Sequence, residues 1–344
     1  LLNACVSASQ PDVATRAIGA GSSLPAMKNF GASSPSAPVR SNNDLALDFI
    51  ELSFQLESGR TLPVLTRFEQ PISVRVTGSP PATLGSDLNR LISRLRSEAR
   101  IDINYTNNPA ANITIQAVTR DAIRRVLPQA ACFVAPNVSS LDEYRKARRS
   151  SRTDWTTLKQ REKIAIFLPN DASPQEVRDC LHEELAQALG SLNDLYRLPD
   201  SVFNDDNVHT VLTGFDMMIL RAYYEPGLRS GMSRGQVAAA LPRILARINP
   251  RGNRQAGRYA TRTPRGWSKS IQTALGRSIS FQSRETAAKE AIRVATAMGW
   301  HDHRRAFAHY AMGRVLQSNE PGAAHQQYLL ADRYYAQTPG TALH

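Results

Sequence analysis

The stretch that decides the fold is Ser-Pro-Gln-Glu-Val-Arg-Asp-Cys-Leu-His-Glu-Glu-Leu-Ala-Gln-Ala-Leu-Gly, residues 173–190. Ser173 is suited to cap a first turn, a proline follows at the first helical position, and Glu176 completes a capping box. The apolar residues that follow recur at helical spacing, and Gly190 is expected to end the helix in a left-handed conformation. The sequence therefore predicts a long helix over 176–189.

Shorter segments with the patterns of strands and helices surround this helix. An alternating run at 72–76 and a run at 163–168 that stops at Pro169 predict strands. The basic stretch after residue 135 is predicted to be a loop. The same criteria predict further strands at 49–54, 101–105, 112–118 and 132–135, and further helices at 86–99, 119–126 and 213–224. The order of these elements predicts an α+β domain with helices packed on one sheet.

The long helix contains His182-Glu183, which begins like the zinc-peptidase motif H-E-x-x-H. That motif needs two imidazoles on one helix face, so that both bind one metal while the glutamate polarises a water molecule. The second imidazole position is occupied by Ala186, so this register fails, and His182 is expected to be an ordinary half-buried histidine. Shifted by one residue, the segment from Glu183 to Asp194 aligns position by position with H-E-x-x-H-x-x-G-x-x-H-D.

In this register the segment resembles the active-site helix of the metzincin metallopeptidases, with all three histidines replaced. The resemblance implies a metzincin-like fold, places Glu183, Gln187 and Asn193 at the ligand positions, and keeps Glu184 at the position of the general base. Downstream, residues 201–204 are similar to the Met-turn of that superfamily, with phenylalanine where methionine is expected. The turn and supporting residues that the resemblance implies are Gly190, Asp194, Ser201, Phe203, Asn204 and Asp205.

A closer resemblance covers about residues 45–235. The segments 132–134, 183–190, 193–194 and 201–205 are similar to motifs of an uncharacterised family of alphaproteobacterial exported proteins, catalogued as a domain of unknown function. This resemblance implies that the protein is exported, but it implies no activity because none is known for the family. The chemistry must therefore be inferred from the residues themselves.

The residue types at the ligand positions indicate which metals they favour. Zinc prefers imidazole and thiolate donors, so one carboxylate and two amides predict no zinc site. Oxygen donors suit calcium better, and Asp194, Asp205, Asp206 or His209 are candidates to add to them. We expect no functional metal, with a zinc or calcium site as the alternative. Without a metal, we expect a hydrogen-bonded polar network formed by Glu183, Glu184, Gln187, Asn193 and Asp194.

Composition limits the possible protein classes. The chain has 344 residues, a net charge of +12, 42% apolar residues and three cysteines. These values exclude a chain that is disordered throughout and a disulfide-dense miniprotein, and no run of about 18 apolar residues predicts a transmembrane helix. The positive charge is concentrated at 145–152 and 243–265, where we expect solvated loops, with binding to an anionic membrane surface or polymer as the alternative. No interleaved aromatic residues indicate sequence-specific nucleic-acid binding.

The segment 1–5, Leu-Leu-Asn-Ala-Cys, resembles the end of a bacterial lipoprotein signal, in which the cysteine is lipidated. Residues 6–42 have the small and polar composition of a flexible linker. We therefore expect a periplasmic protein anchored to the membrane through Cys5, with an ordinary exported protein as the alternative. Lipidation of Cys5 would leave Cys132 and Cys180 available for a disulfide, and two separate buried thiols are the alternative.

Residues 266–337 are predicted to be helical throughout. A pattern of small residues at 288–295 recurs at 324–331, and another at 274–277 recurs at 311–314, with offsets of 36 and 37. These offsets are close to the period of tetratricopeptide repeats. Two such units are too few to be stable alone, so we expect them to pack on the first domain, as a partner-binding groove or as a buttress.

These observations predict a domain organisation and a function. The predicted segments are a signal remnant and linker at 1–43, a metzincin-like domain at 44–242, an Arg-rich linker at 243–265 and a helical-repeat-like tail at 266–344. The replaced histidines predict a cell-envelope binding protein that docks a peptide or protein partner by strand addition at an exposed sheet edge near 163–168. The alternative is a peptidase-like hydrolase with Glu184 as general base and a non-standard metal or none.

Overall fold

A computed structural model describes residues 40–128, 130–204, 206, 208–257, 261–276 and 279–339. Five strands form one mixed sheet in the order β2-β1-β3-β5-β4, in which β4 alone is antiparallel to its neighbour. Cys5, the predicted linker as far as residue 39, and Asp205 lie outside the described residues. The strands are β1 Ile72–Gly78, β2 Ile103–Tyr105, β3 Ile113–Val118, β4 Phe133–Pro136 and β5 Ile164–Pro169.

Strand β5 lies inside the sheet, between β3 and β4. All six of its residues are buried, as is typical of a strand that is covered on both faces. The prediction of an exposed edge near 163–168 is therefore wrong. The edge strands of this sheet are β2 and β4.

Helix α1 occupies Asn42–Ser53, so the strand predicted at 49–54 is also wrong. The side chain of Ser41 caps the helix by accepting a hydrogen bond from the Asp44 backbone N–H at 3.0 Å. The buried residues of the helix include Asp48 and Glu51 as well as apolar residues. Because these acids occupy buried positions, the buried face of α1 is not continuously apolar. The regular spacing of apolar residues that would indicate a helix is therefore interrupted.

Six further helices complete the region around the sheet. Helix α4 lies within the basic stretch that was predicted to be a loop, and α7 extends through position 243, where the Arg-rich linker was predicted to begin. The remaining helices agree with the predicted ones or add to them. The bounds are α2 Leu84–Ser97, α3 Arg120–Val126, α4 Leu141–Ala147, α5 Pro174–Leu189, α6 Gly214–Tyr223 and α7 Arg234–Ile248.

The C-terminal region is all-helical and packs on the rest of the chain, as predicted. The Tyr196 ring lies 5.0 Å from the Trp267 ring and 6.0 Å from the Phe307 ring, measured between centroids. His303 Nε2 lies 2.5 Å from the carbonyl oxygen of Tyr196. The described residues thus belong to one compact unit. The helices are α8 Arg265–Leu275, α9 Phe281–Ala297, α10 His303–Leu316 and α11 Pro321–Ala336, and none in the described part is long and apolar enough to cross a membrane.

Candidate functional site

Helix α5 carries most of the predicted site residues and is fixed firmly at its first turns. The Ser173 hydroxyl accepts a hydrogen bond from the Glu176 backbone N–H at 3.2 Å, and Pro174 is the first helical residue. Further along, Cys180 forms a disulfide with Cys132, which immediately precedes β4. The predicted cysteine pair is therefore confirmed, and it joins the helix to an edge strand of the sheet.

The C-terminal end of α5 is held by a buried arginine from a distant loop. Arg161 Nη1 donates to the carbonyl oxygens of Gln187 at 2.5 Å and Ala188 at 2.8 Å, and Nη2 donates to that of Gly190. Burial lowers the pKa of Arg161 from its ordinary value. The Arg161 guanidinium thus donates hydrogen bonds to the carbonyl oxygens at the end of α5. In many helices a terminal glycine in the left-handed conformation allows backbone N–H groups to do this.

Gly190 does not adopt the predicted left-handed conformation. Its φ is −156° and its ψ is −99°. A Cβ atom at this position would lie 3.0 Å from the ring of Tyr223 on α6. The close approach of α6 therefore favours glycine, because a side chain at this position would make the Tyr223 ring shift by a few tenths of an ångström.

Two adjacent carboxylates of α5 have different surroundings. Glu184 is 5% exposed, and its Oε2 atom has no hydrogen-bond partner among the described residues. Glu183 is half-buried. Burial, and then the charges of Glu183 and Glu57, raise the pKa of Glu184 well above its ordinary value. Burial therefore makes Glu184 harder to ionise than an exposed glutamate, which disfavours the charged form that a general base uses.

We expect Glu184→Gln to be more stable than the parent protein near neutral pH. The carboxyl in the unfolded chain ionises near its ordinary pKa of 4.5, below the pKa in the folded chain. The free energy of unfolding of the parent therefore falls as the pH rises from the unfolded pKa towards the folded one, whereas an amide has no such loss. Thermal unfolding from about pH 4 to about pH 8 measures the difference. Glu162→Gln, at an exposed glutamate, is the matched control, and a fall in Glu184→Gln as steep as that of the parent would contradict the assignment.

The segment that follows α5 is bound to α1. Asn193 Nδ2 donates to the carbonyl oxygen of Glu51 at 3.0 Å, and the Leu192 backbone N–H donates to that of Leu52 at 3.2 Å. The amide at the third ligand position therefore holds the chain against α1. Gln187 is buried and Asp194 is half-buried.

The predicted turn at 201–204 is a tight, buried structure. The Leu195 backbone N–H donates to the carbonyl oxygen of Phe203 at 2.8 Å, and Asn204 Nδ2 donates to that of Leu198, also at 2.8 Å. The Phe203 ring is fully buried in the main core. An aromatic ring thus fills the position where the resemblance expects methionine.

Asp216, near the start of α6, closes this turn. Its carboxylate is 2.5 Å from the Ser201 hydroxyl and accepts hydrogen bonds from the backbone N–H groups of Val202 at 3.2 Å and Thr213 at 2.7 Å. Burial raises the pKa of Asp216 to about 6, and these hydrogen bonds oppose the rise. Asp216 was not predicted as a site residue, although the Thr213 capping box that contains it is visible in the sequence.

His182 on α5 and His209 further along the chain each lie within hydrogen-bond distance of a backbone group. His182 is buried, not half-buried as predicted, and its Nδ1 accepts a hydrogen bond from the Leu212 backbone N–H at 3.1 Å. Burial, with a smaller effect from nearby arginines, lowers the pKa of His182 to about 3. His209 Nε2 lies 2.9 Å from the carbonyl oxygen of Pro199.

A family model described as "Protein of unknown function (DUF2927)" matches residues 42–243, which is more than half of the chain. The chain belongs to the DUF2927 family. This confirms the predicted membership in a family of unknown function. The DUF2927 domain begins with α1, ends within α7 and contains the whole sheet, α5 and the turn. No curated protein and no solved structure matches the chain.

The residues that the sequence predicted as ligands do not fit a zinc ion. Nowhere in the described ranges do three or more His, Cys, Asp or Glu side chains form a group that could hold a metal. The Asn193 amide donates to a carbonyl oxygen, and the His182 Nδ1 lone pair accepts from a backbone N–H. Asp206, a predicted additional oxygen donor, accepts hydrogen bonds from Asn204 Nδ2 at 2.9 Å and the Val208 backbone N–H at 3.1 Å.

A buried ion cluster beneath the site was not predicted from the sequence. Arg197 Nη1 forms an ion pair with Asp48, and its Nη2 lies 2.7 Å from Glu51 Oε2. Arg40 lies 2.7 Å from Asp48, and Arg262 lies 2.8 Å from Glu51. The two acids lie three residues apart on α1, which places them on one face. Their main partner lies almost 150 residues further along the chain, so no local pattern indicates the pairing.

Proposed function

We propose that this protein is a cell-envelope binding protein whose DUF2927 domain docks a peptide or protein partner without hydrolysing it. The observation that carries the proposal is the structural role of residues that the sequence predicted as a metal ligand and a general base. The Asn193 amide holds the chain to Glu51, and Glu184 is buried with its pKa raised. A hydrolase would need a metal-binding set or an ionised base at these positions.

The order of the elements that follow β4 supports docking near α5. The sheet has one antiparallel edge strand, and a long helix, a tight turn and a further helix follow it in the chain. We therefore place the docking site beside α5, on the edge strand β4, which the disulfide between Cys132 and Cys180 joins to that helix.

Strand β4 has the geometry that an added strand requires. The Asn137 backbone N–H donates to the carbonyl oxygen of Lys163, and Val134 lies opposite Ile166 three residues before Asn137. Because hydrogen-bonded pairs alternate along an antiparallel ladder, the N–H and C=O of Val134 point away from β5. No residue in the described part of the chain accepts a hydrogen bond from this N–H. The disulfide at Cys132 fixes the strand beside α5.

Pro136 limits how long a docked strand can be. It occupies the next outward-facing position of β4 and has no N–H to donate. The outer edge therefore offers one N–H donor and one carbonyl oxygen, both from Val134, because Pro136 is buried. A short extended segment can pair with these groups, whereas open-ended association of strands is disfavoured.

The helical tail serves as a buttress in this proposal. Tyr196, Trp267 and Phe307 form one aromatic cluster at the junction with the tail. The repeated small-residue motifs lie differently in their helices, since Gly276 caps the end of α8 whereas Gly313 lies inside α10. This difference favours a support for the DUF2927 domain over a regular repeat array.

We expect Val134→Pro to weaken the binding of an extended peptide by about tenfold or more. The proline removes the outward N–H, and the ladder to β5 is unaffected because that N–H does not take part in it. The probe is a fluorescein-labelled 12-residue peptide selected on the intact protein from a random library, with fluorescence anisotropy as the measurement. Tyr105→Pro, on the opposite edge strand β2, is the matched control. Equal losses in both variants, or no loss in Val134→Pro at unchanged thermal stability, would contradict docking at β4.

The same peptide separates docking from hydrolysis. We expect it to remain intact on prolonged incubation with the protein, as judged by mass spectrometry. Cleavage that disappears in Glu184→Gln would instead support the hydrolase alternative, because that substitution removes the candidate base and keeps the side-chain shape.

A further inference from the structure

A group of exposed cations lies where the C-terminal ends of α3 and α4 meet. Two belong to the last turn of α3, one to the last turn of α4, and two follow α4 directly. All five are exposed. We call this group the cationic face, and its members are Arg124, Arg125, Lys146, Arg148 and Arg149.

The two helix ends are fixed against each other, so the face is a defined surface. Arg148 Nη1 donates to the carbonyl oxygen of Val126 at 2.7 Å. Ile123 and Val126 of α3 belong to the same small core as Ala147 of α4. The charges are therefore held together by helices that pack on each other and on the sheet.

The protein does not neutralise these charges itself. The nearest acids of α4 are paired with other cations, Asp142 with Arg145 at 3.3 Å and Glu143 with Arg152 at 3.0 Å. Within the ranges that the structure describes, the five cations form no ion pair, and four of them form no side-chain hydrogen bond. Cations favour the negative end of a helix, but Arg148 alone contacts a terminal carbonyl. The other four charges are therefore available to an anionic partner.

The cationic face and α5 lie on opposite sides of the sheet. Ala165 and Phe167 of β5 belong to the small core under α3 and α4, whereas Ile164 and Ile166 belong to the main core, which includes Leu185 of α5. Side chains alternate between the two faces of a strand, so the sheet separates the two surfaces. A large anionic surface bound to the cationic face would leave α5 unobstructed.

We propose that the cationic face docks the protein on a membrane surface of anionic phospholipids. Clustered Lys and Arg side chains are attracted by anionic headgroups without any requirement for a pocket. The aromatic residue nearest to the face, Tyr144, is half-buried and packs against Phe133 with centroids 4.9 Å apart, so it offers no platform for a nucleic-acid base. Lipidation predicted at Cys5 would add a second, independent attachment. The proposal concerns a different surface from β4 and does not depend on peptide docking.

The test measures how the full chain, carrying Cys5→Ser so that no acyl group contributes, partitions onto lipid vesicles. We expect binding to vesicles that contain phosphatidylglycerol, weakening as salt is added, and little binding to pure phosphatidylcholine vesicles. The combined variant Arg124→Gln, Arg125→Gln, Lys146→Gln and Arg149→Gln should lose at least about tenfold in partition coefficient. The matched control replaces four exposed cations outside the basic segments 145–152 and 243–265 by glutamine, namely Arg229, Arg234, Lys269 and Arg333.

Both variants lose four positive charges, so their comparison separates a local surface from net charge. Retained binding in the control and lost binding in the first variant is the expected result. Equal losses in the two variants, equal binding to neutral vesicles, or no binding to either type of vesicle would overturn the proposal. A DNA duplex that displaces the protein from the vesicles at equal phosphate concentration would also overturn it and would assign the face to a soluble polyanion.

Discussion

Arg161→Met is expected to lower the free energy of unfolding by about 3–5 kcal/mol. The guanidinium is fully buried and donates to the last carbonyls of α5, at Gln187, Ala188 and Gly190. Methionine fills part of the volume but donates no hydrogen bond, so three buried acceptors lose their partner. Urea unfolding followed by circular dichroism measures the loss.

Two control variants distinguish loss of the hydrogen bonds from loss of charge. Arg161→Lys keeps the charge with fewer and differently placed donors, so its stability should lie between those of Arg161→Met and the parent. Arg60→Met removes an arginine that is paired with Asp154 at 2.8 Å on the surface, and it should cost less than about 1 kcal/mol. A stability of Arg161→Met equal to that of Arg60→Met would show that the α5 end does not depend on Arg161.

Replacing both Cys132 and Cys180 by serine is expected to lower the free energy of unfolding by about 4 kcal/mol. The disulfide closes a loop between cysteines 48 residues apart, and its loss increases the conformational freedom of the unfolded chain. The bond also connects the start of β4 to the middle of α5. We therefore expect the double variant to bind the docked peptide more weakly as well.

Denaturant unfolding with and without a reductant provides the control for this prediction. The reductant should bring the parent close to the stability of the double variant and leave the double variant unchanged. Cys5→Ser should have no effect on stability in either condition. If reduction leaves the unfolding midpoint of the parent unchanged, the disulfide does not contribute as we describe.

Local patterns predicted the elements whose signals lie within a few residues. Helix α5 begins at Pro174 after the Ser173 cap, as the sequence indicated. The alternating strand β1 and the short helix α3 also lie where they were predicted. In each case a cap or a repeated apolar spacing determines the structure locally.

Features that depend on distant partners could not be predicted. Helix α1 reads as a strand at 49–54 because its buried acids, Asp48 and Glu51, interrupt the apolar period, and their partner Arg197 is remote in sequence. Gly190 departs from a left-handed end because Arg161 supplies the carbonyl contacts that such an end would provide. The residues next to Arg161 and Arg197 in the sequence do not indicate either of these long-range contacts.

The position of the docking edge depends on strand order, which periodicity does not determine. Residues 164–168 are continuously apolar, which already fits a strand covered on both faces better than an edge. The addition of β4 outside it, antiparallel and four residues long, moved the edge to Val134. The residues of α5 beside the proposed docking site could thus be named from the sequence, but the edge strand that forms the site could not.

Metal analysis of the full chain, purified without chelators, tests the central claim most directly. We predict a zinc content far below one ion per chain, because the Asn193 amide and the His182 ring already bond to the backbone. One tightly bound zinc ion per chain that is lost in the combined variant Glu183→Ala and Gln187→Ala would contradict a non-hydrolytic docking domain.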